Sequence, residues 1–212
     1  MLKKYLILVG IIIALLLLVV AALYYPGGSQ QDKNAIGYDW KNNYLSNLFS
    51  VKAVNGAANT ARPWAIAGML FLCSAFGLFF FEFSKKIPSK LSANIIRYFG
   101  IGAMLFAFLV VTPYHDMMVT ISSTLALVSM FYIIIFIFKS KLHLFKVLSV
   151  ICMVALYSCN YVYFTRTDLE ILPVLQKAAM LLTITWMLCL QYFTASIDFE
   201  PRKPVAVKAG DK

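Results

Sequence analysis

Residues 5–24, YLILVGIIIALLLLVVAALY, run for twenty positions without a charged side chain. At about 1.5 Å of rise per helical residue, a stretch of this length matches the roughly 30 Å hydrocarbon core of a bilayer. A secretory signal core is shorter, roughly 7 to 15 residues, and no small-x-small cleavage site falls cleanly before Pro26. The run after Lys3 and Lys4 therefore reads as a retained first span, with signal cleavage as the alternative. Tyr24-Tyr25 suits the headgroup layer, and Pro26-Gly27-Gly28 stops the helix.

Working outward, five further apolar runs follow at about 64–83, 95–112, 117–138, 144–164 and 171–197. Of the 212 residues, 61% are hydrophobic and 13% charged, far from the roughly 45–50% apolar usage of soluble domains. Six spans leave short connections, one longer loop over 25–62 and no room for a soluble domain. The fold class predicted is all-α, a polytopic membrane bundle of six transmembrane helices over residues 1–199. The tail over 200–212 is polar, carries two prolines and reads as disordered. Pro88 interrupts a basic stretch after the second span, and Pro113 ends the third ahead of Tyr114-His115-Asp116. Within the long loop, Tyr44, Leu45, Leu48 and Phe49 repeat at helical spacing. They predict a short amphipathic helix that lies on the membrane surface or caps the bundle. Asn55-Gly56 predicts a turn, and Pro63 the opening of the second span. Small residues such as Gly68, Gly77, Gly100 and Ala103 read as sites of close helix approach.

The net charge of +10 would point to nucleic acid in a soluble protein, but the basic residues here flank apolar runs. With the N-terminus inside, thirteen Lys and Arg fall on the cytoplasmic side: Lys3, Lys4, Lys85, Lys86, Lys90, Arg97, Lys139, Lys141, Lys146, Arg202, Lys203, Lys208 and Lys212. Five fall on the other side, Lys33, Lys41, Lys52, Arg62 and Arg166. The positive-inside rule then puts both termini in the cytoplasm and the long loop outside. The four cysteines all lie inside apolar runs, which argues against a disulfide framework.

Ionisable and polar groups inside spans mark candidate sites, because lipid penalises them. Lys177 lies about 10 Å into the sixth span, beside Gln176 and one turn beyond Pro173. Two readings stand for it: its stem reaches back to the headgroups, or it lines a polar pocket. Tyr157, Asn160 and Tyr161 share a face of the fifth span, as Asp116, Thr120 and Ser123 do in the fourth. All fall within roughly 10 Å of the outer boundary, the depth inferred for Lys177, so convergence on one outward cavity is the economical reading. His115 and Asp116 sit at its lip, as an acid–base pair or as a helix-start cap. Arg62 and Arg166 are anion-binding candidates or interfacial anchors, and Asp168 and Glu170 are potential partners for Lys177 or Arg166. With only two histidines, His115 and His143, assigned to opposite sides, no histidine zinc site is expected, and no cofactor is predicted. Neither a His-Glu-x-x-His nor a Gly-x-Ser-x-Gly pattern occurs.

Tyr24-Tyr25-Pro26-Gly27-Gly28, Asn43-Tyr44-Leu45-Ser46-Asn47-Leu48 and Pro113-Tyr114-His115-Asp116 resemble a bacterial family of six-span membrane proteins, domain of unknown function 998. In plan that family looks related to the Sfk-type and DRAM-type six-span proteins, some of which are tied to lipid remodelling or lipid asymmetry. The resemblance implies a multi-pass protein of the bacterial inner membrane, with Ser46 and His115 as positions of interest. Where the family pattern has an aspartate after the loop serine, this chain has Asn47.

The leading expectation is a non-enzymatic membrane protein whose outward cavity binds a lipid headgroup or small amphiphile. Its binding residues would be Lys177, Gln176, Asn160, Tyr161, Tyr157, Ser123, Thr120, His115, Arg62 and Ser46. An enzyme acting on an outer-leaflet lipid through His115 and Asp116 is the alternative. A small-solute transporter comes third, weakened by the lack of an internal repeat. Expected partners are membrane lipids, a second copy or another membrane protein, and not nucleic acid.

Overall fold

The computed structural model of the chain describes residues 2–200. The tail expected to be disordered lies outside the described residues beyond Glu200. Six helices carry the fold: α1 Leu2–Leu23, α2 Arg62–Ser84, α3 Lys90–Phe108, α4 His115–Lys139, α5 His143–Thr165 and α6 Leu172–Phe193. Each is long and apolar enough to cross a membrane. Among the described residues the only extended pairing is two isolated antiparallel bridges, Gly27 with Ile36 and Lys52 with Ala58. The chain is therefore an all-α, multi-pass membrane protein.

Local chemistry sets the helix ends. Pro63 occupies the first turn of α2, where its missing N–H costs nothing. Ser89 caps α3 by accepting from the Ser92 N–H. A 3-10 turn, Leu109–Val111, closes that span before Pro113. Two sequence expectations need correction here. Asp116 is not the cap of α4, because the helix already starts at His115 with Tyr114 at the N-cap and no side-chain cap. The sixth span ends at Phe193 rather than 197: Thr194 is extended, and a separate 3-10 turn, Ser196–Phe199, folds Phe199 back onto Phe83 with ring centroids 5.5 Å apart. Lys86 makes that early stop stable, since its ammonium donates to the carbonyls of Leu190, Gln191 and Thr194 at 2.9–3.0 Å. Helix-terminal carbonyls have no partner within their own helix, and a cation also complements the negative end of the dipole.

The bundle is organised around α2, which packs on α1 and α3 and touches α6. Helix α3 carries α4, and α5 pairs with α6, while α4 and α5 meet only lightly. The main core joins Ile7 and Ile11 of α1 to Phe79, Phe80 and Phe83 of α2, Ile133 and Ile137 of α4, and Trp186 and Met187 of α6. Two polar side chains within it are paired: Trp186 Nε1 donates to Ser149 Oγ at 2.8 Å and Ser129 Oγ to the Ile96 carbonyl at 3.0 Å, whereas Gln191 Oε1, beside core residue Leu190, is buried without a partner. Gly100 is required by contact, because any side chain there would run into the Phe80 ring. Gly77, by contrast, faces open space, so close approach does not explain it.

The long loop is a folded cap over the α1–α2 end, which we call the loop end of the bundle. Leu48 and Phe49, on the 3-10 turn Leu45–Phe49, bury against Leu18, Ala21, Ala61 and Ala65. Three asparagines tie the backbone. Asn43 is fully buried, accepts from Asp39 N–H at 2.8 Å and donates to the Gly28 carbonyl at 2.9 Å. Asn47 Oδ1 accepts from Tyr44 N–H at 2.7 Å, a task an aspartate oxygen performs equally well. Asn59 donates to the carbonyls of Asn47, Leu48 and Ser50. Gly28, at φ +81°, could carry no side chain without striking the backbone of Val54 and Asn55.

Candidate functional site

Because α4 and α5 barely touch, the space between them stays open beneath the cap. A cavity of about 430 Å³ opens there, bounded by Tyr44, Leu45, Ser46 and Phe49 of the cap. His115, Asp116, Val119 and Ser123 of α4 line it, together with Cys159, Asn160, Tyr163 and Arg166 at the end of α5 and Leu172 and Gln176 of α6. A second chamber of about 210 Å³ lies deeper, walled by Phe76, Phe80, Met104, Leu127, Met130, Leu156, Met180 and Met187. Ser123 and Asn160 line both chambers, so the two adjoin. The upper walls are mixed polar and aromatic, and the lower walls almost wholly apolar.

At the mouth, Asp116 gathers three neighbours. Its Oδ1 accepts from the Tyr163 hydroxyl at 2.6 Å and lies 3.0 Å from His115 Nδ1. The Arg166 guanidinium stands 3.7 Å from Oδ2 and sits over the Tyr163 ring at 4.9 Å. This cluster ties the start of α4 to the end of α5 where the helices otherwise part. Arg166 is held in position by its own backbone, in the left-handed region at φ +58° as the C-cap of α5. The Asp116 side chain remains 73% exposed, so these pairs orient more than they stabilise. Burial pushes the Tyr44 phenol upward, with the Arg166 charge opposing. Deeper in, Asn160 Nδ2 donates back to the Leu156 carbonyl at 2.8 Å, and Ser123 Oγ to the Thr120 carbonyl at 3.2 Å. Gln176 Oε1 is buried with no hydrogen-bond partner.

Of the residues proposed from sequence, Gln176, Asn160, Ser123, His115, Asp116 and Ser46 meet at this cavity. Lys177 does not line it. Its ammonium reaches up to the cap, donating to the carbonyls of Asn43 at 2.6 Å and Pro173 at 2.9 Å, and lies 5.6 Å from the centre of the Tyr38 ring. Asp39 beside it is held below the usual carboxylate range, first by the Asn42 side-chain hydrogen bond and also by the Lys177 charge. Tyr157 and Tyr161 stack on each other on the exposed side of α5. Thr120 is exposed and donates to the Asp116 carbonyl. Arg62 holds the cap, its Nε donating to the Phe49 carbonyl at 3.0 Å. Arg166 pairs with Asp116 rather than with Asp168 or Glu170. Tyr163 carries no signal of this role in the sequence, since a tyrosine near a helix end reads as an interfacial anchor and its reach across to α4 is a tertiary fact.

Among the described residues no group of three or more His, Cys, Asp and Glu is placed to hold a metal ion. No family model matches the chain, and neither does any curated protein or solved structure. The site is accordingly read from its own residues.

Proposed function

We propose that this is an integral membrane protein that binds an amphiphile between α4, α5 and α6, polar end toward the cap and chain in the deeper chamber. The observation that carries this reading is the shared wall at Ser123 and Asn160, which joins a polar upper chamber to an apolar lower one. A ligand site is typically a mostly apolar concavity with a few convergent polar groups, and this cavity has that division along its length. The unpartnered Gln176 oxygen supports it further, because an unsatisfied buried acceptor is costly unless a ligand or water completes it. The loop end faces away from the cytoplasm in this reading, the host membrane is a bacterial inner membrane, and the partner is membrane lipid. Ser123→Trp, which fills the junction, should remove copurifying lipid in native mass spectra while leaving the protein monodisperse. Equal lipid retention in wild type and variant would defeat the proposal.

A lipid-modifying enzyme is the second reading, favoured by His115 Nδ1 lying 3.0 Å from a carboxylate with Ser46 on the same cavity wall. A carboxylate-oriented imidazole is equipped for general acid–base work. Turnover separates the two readings. If the enzyme reading holds, His115→Ala abolishes lipid conversion and leaves binding within about twofold of wild type. No conversion by the wild-type protein leaves the binding reading alone.

A further inference from the structure

The deeper chamber ends on a packed floor. On α4 its lining runs from Ser123 to Met130 and on α6 from Met180 to Met187, seven positions in each case, which at about 1.5 Å of rise per residue is roughly 10 Å. Five of the six helices, α2 to α6, wall it. Helices α2, α4 and α6 all run away from the cap, and their deepest lining residues are Phe80, Met130 and Met187, only 2%, 3% and 1% exposed. Three positions further along these helices stand Phe83, Ile133 and Leu190, each at 0%. The chamber is thus closed from below by core and does not continue as a channel. Phe80 is also held from behind, because its ring fills the room that Gly100 leaves and the Phe79 ring stands edge-on to it at 5.4 Å. A core packed this closely admits an extra methylene only by forcing side chains off their rotamers.

From this closed height we infer that the site selects its amphiphile by chain length, taking a medium chain of about 8 to 12 carbons, with Phe80 as the residue that sets the limit. This limit presupposes the cavity reading above and leaves the headgroup open. One leaflet of a roughly 30 Å hydrocarbon core gives a phospholipid chain of roughly 16 to 18 carbons some 15 Å of depth. A chamber of roughly 10 Å takes about two-thirds of that. A longer chain whose polar end stays at Ser123 and Asn160 meets the Phe80 ring and pushes the headgroup back out of the upper chamber. A much shorter one leaves part of the wall without contacts, and those lost dispersion contacts weaken it.

The test gives the full chain, in phosphatidylcholine nanodiscs, an equimolar mixture of saturated monoacylglycerols from hexanoyl to stearoyl, and separately the matching lysophosphatidylglycerols. Native mass spectrometry reads the bound species against their share of the bilayer. Decanoyl and dodecanoyl species should be enriched about fivefold or more over palmitoyl, at the same chain length whichever headgroup binds. Phe80→Leu, which lowers the floor, should move the optimum by about two carbons toward longer chains. Ala126→Leu adds bulk to the chamber wall at a partly exposed position and should move it toward shorter ones. Enrichment that stays level or rises through palmitoyl and stearoyl overturns the inference, since the chain would then leave between α4 and α5, and the cavity reading stands. An optimum that a folded Phe80→Leu leaves in place overturns it as well; where that variant does not fold, an optimum that Ala126→Leu leaves in place does so. If neither series binds, the chain-length limit falls, and equal lipid retention in wild type and Ser123→Trp takes the cavity reading with it.

Discussion

Lys177 shows how a costly residue can serve structure. An ammonium within a span is expensive in lipid, and its stem is long enough to carry the charge to polar groups at the interface. Here those groups are backbone carbonyls, one in its own helix and one in the cap, so the residue ties α6 to the loop. Lys177→Met should keep the apolar stem and lose the tie, lowering stability by about 1.5 to 3 kcal/mol, the range for hydrogen bonds to charged groups. Thermal unfolding in detergent measures the loss, and tryptic cleavage at Lys33, Lys41 or Lys52 should accelerate. A melting temperature and a cleavage rate equal to wild type would show the two contacts to be idle.

At the scale of elements, the two ends of α6 are held by lysines in different ways. Lys177 acts through the first turns, while Lys86, from the α2–α3 turn, caps the last carbonyls. Burial pushes the Lys86 ammonium down to about 8, with Asp198 and Glu82 opposing. The unfolded chain keeps this proton up to the ordinary value of 10.5, so between those two limits the unfolded state binds more protons than the folded one. Stability from this group therefore rises with pH through the window, and on acidification it is lost across the same window and fully gone once pH is below about 8. The margin of wild type over Lys86→Met should be wider at pH 10 than at pH 7.5 in thermal melts. A margin that narrows instead would mean that the carbonyl hydrogen bonds, not desolvation, dominate the ammonium.

For the whole molecule, the distribution of charge bears on which way the bundle sits in its membrane. Basic residues crowd the end opposite the cap, and in chain order they alternate with the apolar runs as the positive-inside rule requires. Ser50 lies in the cap and Lys141 in the α4–α5 turn, both exposed and at opposite ends. With the four native cysteines changed to alanine, Ser50→Cys should react with a membrane-impermeant maleimide in intact cells, and Lys141→Cys only after permeabilisation. The reverse pattern would invert the orientation and turn the cavity mouth toward the cytoplasm.

Six spans, their breaks at Pro26, Pro88 and Pro113, and the polarity of the α4, α5 and α6 faces were legible in the chain, because lipid leaves a one-dimensional record: a helix must be apolar over its crossing length. Depth along each span was legible for the same reason, and it brought Ser123, Asn160 and Gln176 within about 10 Å of the same end of the bundle, with His115 at the lip. Rotation about each helix axis was not. Depth does not distinguish Lys177 from its neighbour Gln176, and only packing decided that the amide lines the cavity while the ammonium climbs to the Asn43 carbonyl. The same holds for Tyr163 and Asp116, whose hydrogen bond joins residues 47 positions apart. Apolar patterning sets where a helix crosses, and the contacts among helices set which way its polar groups turn.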